Sequence, residues 1–267
     1  MTEILWRKRA RSLKKARKAF RAGDPEGLHD LRVALRRTAA TAEALGKKKI
    51  MRGSRQIVRA FSDLRQLEVD RGLLARVREL GWLAEDGASG LDARWSALFA
   101  ADAKKATRAA DGKEMRRLAR DLKRRARASR KPPTARLEKE RLRVERSLQP
   151  PPKRASDQQI HRYRLAVKKA RYLAEDLSSS GAPGWERAID RERELQEELG
   201  RWNDARLFRK RLMKARAQSE ERGTVSLALE LDRAILALES VVLTARRRAL
   251  EKARGDSRVQ PLRQRRA

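Results

Sequence analysis

His29 and His161 are the only two histidines in the chain, and each opens the same basic series. Leu28-His29-Asp30-Leu31-Arg32-Val33-Ala34-Leu35-Arg36-Arg37 returns 132 residues later as Ile160-His161-Arg162-Tyr163-Arg164-Leu165-Ala166-Val167-Lys168-Lys169. At about 100° per residue of helix, a histidine and the positions three, seven and eleven beyond it fall within about 80° of one another. That face carries His161, Arg164, Lys168 and Tyr172 in the second copy, with Arg171 at its margin. In the first copy it carries His29, Arg32 and Arg36, with Ala40 in the fourth place; Arg37 and Lys169 close the two series. Tyr163, Val167, Ala170, Ala174 and Leu177 lie on the opposite side, so one face is expected to pack while the other gathers cations. The chemistry open to such a row is anion binding. Arginine grips phosphate oxygens with a planar fork, and lysine acts as a mobile point charge. A neutral imidazole donates one hydrogen bond and an imidazolium two. Both histidines fall near a helix start, where the dipole favours an anion. Protonation of the imidazoles is expected to tighten phosphate binding as pH falls through about 6.5.

A second repeated element follows each series. Leu64-Arg65-Gln66-Leu67-Glu68-Val69 matches Gly200-Arg201-Trp202-Asn203-Asp204-Ala205, 36 residues after the first histidine and 40 after the second. An arginine followed three residues later by an acid is either a fixed cation for the ligand or half of a helix salt bridge. Arg65 and Arg201 join the candidate site with both readings open. Glu43 and Glu175 stand fourteen residues after each histidine, where a carboxylate repels phosphate and is better placed to orient a cation; Arg171 and Glu175 have pairing spacing. No nucleophile or metal constellation accompanies the histidines. No catalytic residue, metal site or cofactor is therefore assigned, and the chain reads as a binding protein rather than an enzyme.

The 69 Lys and Arg against 36 Asp and Glu leave a formal charge of +33. An excess of that size repels itself in a compact monomer and is kept where the partner is a polyanion: nucleic acid, anionic lipid or a polymeric phosphate. Aromatic residues make up only 4% of the chain, with no clustered platform for stacked bases. Gly-rich phosphate loops, zinc fingers and RNP motifs are absent too, so nucleic acid is the secondary candidate. With no cysteine, disulfides and thiolate metal sites are excluded, and two histidines are too few for an ordinary zinc site. The residues from Met1 to Lys8 lack the apolar run of a signal peptide, and no stretch approaches the ~20 apolar residues of a membrane span. A cytoplasmic location is expected.

Elements that could hold these residues are nearly all helical, because apolar residues recur at three- and four-residue steps. Gly23-Asp24-Pro25 is the first break, with Asp24 suited to an N-cap and Pro25 to the first helical position. Gly46 to Gly53 and Gly81 to Gly90 are further breaks, the latter with a short helical turn at Trp82-Leu83-Ala84. A long helix is expected from Leu91 to Arg130, interrupted near Gly112. Lys131-Pro132-Pro133-Thr134 divides the chain. Beyond it come a helix to Gln149, a capping box at Ser156-Asp157-Gln158-Gln159, loops at Ser178 to Gly184 and Gly223-Thr224, and a last helix to Arg254. Caps at Asp24 and Ser156 would set each histidine five residues into its helix. The expected fold is all-α: two tandem four-helix bundles related by a pseudo-two-fold, with a basic central surface. Residues 1–131 form the first repeat, 132–254 the second, and 255–267 a basic flexible tail.

These residues resemble the CHAD family, the conserved histidine α-helical domain. The likeness rests on His29-Asp30-Leu31-Arg32-Val33-Ala34-Leu35-Arg36-Arg37, and more fully on His161-Arg162-Tyr163-Arg164, Lys168-Lys169-Ala170-Arg171-Tyr172, Glu175 and Leu195-Gln196-Glu197-Glu198-Leu199-Gly200-Arg201-Trp202-Asn203-Asp204-Ala205. It implies a pair of four-helix bundles whose basic surface binds inorganic polyphosphate, and an association with polyphosphate granules. Some relatives carry a triphosphatase-like CYTH domain; none is expected here, which suggests a stand-alone binding module. The implied ligand residues are His29, Arg32, Arg36, Arg37, Arg65, His161, Arg164, Lys168, Lys169, Arg171, Tyr172 and Arg201. Thr38-Ala39 stands where relatives continue with Leu-Arg, and Arg65-Gln66-Leu67-Glu68 where Arg-Asp-x-Asp is commoner, so the second half is expected to hold the fuller copy. Lys8, Lys14, Lys15 and Lys18 are expected to extend the cationic track.

Overall fold

The computed structural model describes residues 5–128 and 133–257. Among them are ten helices and no strand: α1 (Leu5–Arg21), α2 (Gly27–Ala44), α3 (Lys48–Ala60), α4 (Ser62–Glu79), α5 (Glu85–Asp111), α6 (Lys113–Ala128), α7 (Thr134–Arg146), α8 (Asp157–Ser179), α9 (Glu186–Glu221) and α10 (Val225–Ser257). The chain is all-α, as its composition of strong helix formers dictates. Lys131 and Pro132 of the dividing segment, and residues 258–267 of the tail, lie outside the described residues. Residues 255–257 of that tail continue α10.

Cα packing groups the chain into two compact units with interleaved segments. The first draws on Met1–Glu68, Ala97–Arg146 and Lys169–Ile189, and the second on Val69–Ser96, Ser147–Lys168 and Asp190–Ala267. This partition differs from the repeat boundary read at residues 131 and 132.

In the first unit α1 packs on α2, α2 on α3, α3 on α6 and α6 on α1, closing a ring of four helices; α7 also packs on α2. Spacing explains the ring. Ile50, Ser54 and Ile57 face inward from α3, and Met115, Leu118 and Leu122 from α6, each set lying on one stripe. Fully burying a side chain such as Leu122 contributes roughly 1.5–3 kcal/mol. Gly27 is required where α2 begins, because a Cβ there would stand 2.6 Å from the Phe20 backbone of α1. One polar network sits inside this unit. The Arg9 guanidinium pairs with the fully buried Asp176, whose carboxylate accepts from Thr41 Oγ1 at 2.5 Å, while Arg9 Nε donates to Thr41 Oγ1 at 3.0 Å.

The second unit has its core where α8, α9 and α10 supply Ile160, Tyr163, Val167, Leu195, Leu199, Trp202, Ala249, Leu250 and Ala253. Trp95 meets Phe208 edge-on at 6.1 Å, and Arg211 reaches the buried Asp70 at 2.6 Å.

Several boundaries differ from the sequence expectations. Asp24 is not the N-cap of α2. The chain turns through Gly23 at φ 75°, the Gly27 N–H donates to the Asp24 carbonyl at 2.8 Å, and the Asp24 carboxylate accepts from the Glu26 N–H at 2.9 Å. Glu26 is the cap residue, without a side-chain bond, so His29 stands three residues beyond its cap rather than five. Ser156 does cap α8: Gln159 N–H donates to Ser156 Oγ at 3.3 Å and Ser156 N–H to Gln159 Oε1 at 2.6 Å. Gly53, Gly87 and Gly90 lie inside helices, and Trp82-Leu83-Ala84 forms no helical turn. The break at Gly112 is present, between α5 and α6.

Candidate functional site

Three groups of cations are built by these helices. The first is on α2 and α4, in the first unit. His29 is exposed on the opening turn of α2, and Arg36 is half-buried two turns on. Arg32, between them, is only 8% exposed and donates from one terminal nitrogen to the Val58 carbonyl of α3 at 3.2 Å. Arg65 enters from the start of α4 and pairs with Glu68 on the next turn. These groups feel one another. Burial first, then Arg36 and Arg65, bring the Arg32 guanidinium down to about 10. Burial and then Arg65 hold His29 below its ordinary 6.5, against the opposing pull of Glu26, Asp30 and Glu68. Arg65 is thus a helix ion pair that also acts on the His29 imidazole.

The second group is on the first half of α8 and the middle of α9, in the second unit. His161, Arg164 and Lys168 share the α8 face, all half-buried. Burial, Arg164, Arg206 and Lys168 push the His161 imidazole below 6.5, while the neighbouring Asn203 works the other way. Arg201 is not among the groups acting on His161. Its side chain is 62% exposed and it pairs with Glu198, on the preceding turn. Arg206, which the sequence reading missed, takes the corresponding role: it lies over the buried Trp202 ring at 5.2 Å and reaches Asp157 at 3.5 Å. Its Nε is buried without an acceptor among the described residues. Asn203 was quoted within the repeated element but not assigned. The signal available for both was their place beside Trp202, on the α9 turns that face α8.

The third group joins the end of α2 to the second half of α8, in the first unit. Arg37 and Arg171 both pair with Glu175, at 2.8 and 3.0 Å, and both guanidinium groups lie over the Tyr172 ring, at 5.7 and 5.1 Å. Tyr172 is itself only 5% exposed, so it is a platform under two arginines. Lys169 is held by Glu43 at 3.3 Å and Glu140 at 2.7 Å, and Arg55 also reaches Glu43 at 2.8 Å. Bonds from Arg143 and Lys169, against a burial penalty, keep the Glu140 carboxyl ionised down to about 2. Glu43 and Glu175 thus orient cations, as their spacing suggested. Arg37 Nε remains buried and without an acceptor among the described residues. Beneath this group lies Arg9, lowered to about 10 by burial and then by Arg37.

Of the four lysines expected to extend the track, Lys8 donates to Ser179 and is half-buried, while Lys14, Lys15 and Lys18 are exposed on α1. Among the described residues no cluster of His, Asp and Glu has the makings of a metal site, and no helix is long and apolar enough to cross a membrane.

Two solved structures share this fold. The CHAD domain from the plant Ricinus communis aligns with a TM-score of 0.68 at 20% identity, over 92% of this chain and 89% of that one. PptA from Streptomyces chartreusis aligns with a TM-score of 0.71 at 16% identity, over 95% and 97%. No curated protein sequence matches the chain significantly. The CHAD domain description matches residues 4–213, more than half of the chain and all three cation groups, and the chain belongs to the CHAD family.

Proposed function

We propose that this chain binds inorganic polyphosphate along the cationic faces of α2 and α8, without reading a sequence and without catalysing a reaction on the polymer. The family is one associated with polyphosphate binding, which supports the ligand. The observation that carries the reading is the crowding of cations around each histidine. In the first group Arg65 acts on His29, and Arg36 and Arg65 act on Arg32; in the second Arg164, Arg206 and Lys168 act on His161, each holding its neighbour's pKa down. A row of phosphates relieves that repulsion. Arg37 Nε and Arg206 Nε, buried without acceptors among the described residues, are donors that a phosphate oxygen could match. The tandem repeat of 1–131 and 132–254 belongs to the same proposal, since it offers the polymer two homologous His helices. A granule-associated or polyphosphate-targeting role follows from it.

Nucleic acid is less well served. Tyr172 and Trp202, the aromatic residues at these groups, are buried and cannot stack on bases. The test is Arg164→Ala with Lys168→Ala, measured for affinity to long-chain polyphosphate beside Lys104→Ala with Lys123→Ala, both exposed lysines. The first pair is expected to weaken binding more than tenfold and the second less than twofold. Equal losses would reduce the site to bulk charge. Displacement by duplex DNA at equal charge concentration would overturn the choice of ligand.

A further inference from the structure

We infer that the outer faces of α1 and α6 form a second track for polyphosphate, so that one copy of this chain holds two strands and cross-links the polymer. The inference rests on the polyphosphate reading of the histidine groups and adds a face which that reading leaves out. On α6 a helical arc of about 100° contains Lys113, Arg116, Arg117, Arg120, Arg124 and Arg127 and no other residue. On α1 an arc of about 120° contains Arg7, Arg11, Lys14, Lys15, Lys18 and Arg21, again with nothing between them. Every one of these side chains is exposed. α1 and α6 are neighbours in the ring of the first unit, so the two rows run side by side. The His29 row turns to another part of that ring, where Arg32 reaches the Val58 carbonyl of α3. The edge between α1 and α6 lies across the ring from the edge between α2 and α3, and a strand held at one leaves the other open.

A basic composition does not by itself clear a face of acids. α7 precedes the His161 helix as α1 precedes the His29 helix, and it interleaves Glu138, Glu140 and Glu145 with its cations. α1 carries no acid at all. The two acids of α6, Glu114 and Asp121, lie on one flank, where they line a cleft with Lys49 and Arg52 of α3. Asp111 reaches Arg17 at 3.0 Å and Arg21 at 3.3 Å, at one end of α1. Like charges three and four residues apart destabilise a helix, so rows of this kind are held against their own repulsion, which an anion laid along them offsets. Shape selects the anion. The outward faces of two adjacent helices in a ring meet as a ridge, which a flexible phosphate chain follows and a stiff duplex touches along one line. Single-stranded nucleic acid calls for aromatic platforms and an anionic membrane for apolar side chains, and the two arcs contain neither. The second strand is the weaker one. Its cations are exposed, whereas those of the histidine groups are at least half-buried, where water screens them less.

Calorimetric titration of the full chain with a polyphosphate of about ten phosphates, enough to meet the cations of one track, is expected to show a tight phase and a weaker one. Lys113→Gln, Arg117→Gln, Arg120→Gln and Arg127→Gln together keep good helix formers on α6. That variant should weaken the second phase at least tenfold and the tight phase less than twofold, and the surviving tight phase reports that it folds. Four scattered exposed cations, removed as Lys104→Gln, Lys139→Gln, Lys210→Gln and Arg222→Gln, should change the second phase less than threefold. With long-chain polyphosphate the natural chain is expected to form light-scattering networks, and the α6 variant at least threefold less. A tight phase with no second one, or a second phase weakened equally by the scattered substitutions, would overturn the second track and leave the histidine groups untouched. Displacement of the second strand alone by duplex RNA at equal charge concentration would give the face to nucleic acid. A tight phase lost in the α6 variant would instead overturn the assignment of polyphosphate to the histidine groups.

Discussion

His29 and His161 stand among cations whose fields act on the imidazoles before any ligand arrives. Burial is the largest influence on both, followed by Arg65 at the first and by Arg164 at the second, and each ring titrates below 6.5. In the free protein the protonation of both rings is therefore displaced below the ordinary 6.5. The sign for stability follows. The folded state holds these rings neutral, so the unfolded chain takes up protons first, and stability falls as pH drops through about 6.5 towards the lowered folded values. For binding the sign is opposite, because phosphates beside the rings raise their pKa. Affinity is then expected to rise as pH falls, from the raised values of the complex down to the depressed values of the free protein, by up to about tenfold for each unit between them. Binding isotherms at pH 8, 6.5 and 5.5 should show this for the natural chain and a flatter profile for His29→Gln with His161→Gln. An identical pH profile in the two proteins would remove the histidines from the ligand's first contacts. The α8 partners of His161 were legible from their three- and seven-residue spacing, which is a property of one helix. Asn203 and Arg206 were not, because their approach depends on how α9 lies against α8.

At the scale of elements, α8 has a defined start and α2 a looser one. The reciprocal Ser156–Gln159 bonds satisfy donors that the first turn of α8 leaves open. Ser156→Ala is expected to cost about 1 kcal/mol in urea unfolding. Asp24→Ala should cost clearly less, since Asp24 holds only the turn before α2. Equal losses would show that the turn at Asp24 matters as much as a helix cap. The capping box was readable because it is a local pattern of side chain and backbone. Asp24-Pro25 offered an equally local pattern and misled, because the entry to α2 is fixed by the close approach of Gly27 to Phe20, a contact between two helices. Glycines alone were poor markers of breaks for a related reason. Gly53, Gly87 and Gly90 are carried inside α3 and α5, whose neighbouring residues bury enough apolar surface to offset about 1 kcal/mol per glycine. Four helices were expected in each half; among the described residues the first half holds six, α1 to α6, and the second four, α7 to α10. In chain order α3 with α4 stands where α9 does, and α5 with α6 where α10 does, each first-half pair interrupted once.

For the whole molecule, the charge of +33 overstates what a ligand can use. Much of it is engaged internally: Arg37 and Arg171 share Glu175, Lys169 is held by two glutamates, Arg211 by Asp70, and Arg9 by Asp176. Arg32, Arg36, Arg65, Arg164, Lys168 and Arg206 make up the two histidine groups, although Arg32 donates to the Val58 carbonyl, Arg65 pairs with Glu68 and Arg206 reaches Asp157. If these six make the phosphate contacts, counterion release gives a slope of about −4 in log affinity against log salt, using about 0.7 counterions per contact as for a single-stranded polyanion. Removing Arg164 and Lys168 together should flatten that slope by about 1.4. A surface that attracts polyphosphate through its total charge behaves differently, with a steeper slope that barely changes when two of its 69 basic residues are lost. Titrations between 50 and 300 mM NaCl separate the two. A slope near −4 that flattens in the double variant assigns binding to the crowded cations of the His helices, and a steeper slope indifferent to the double variant assigns it to the surface at large.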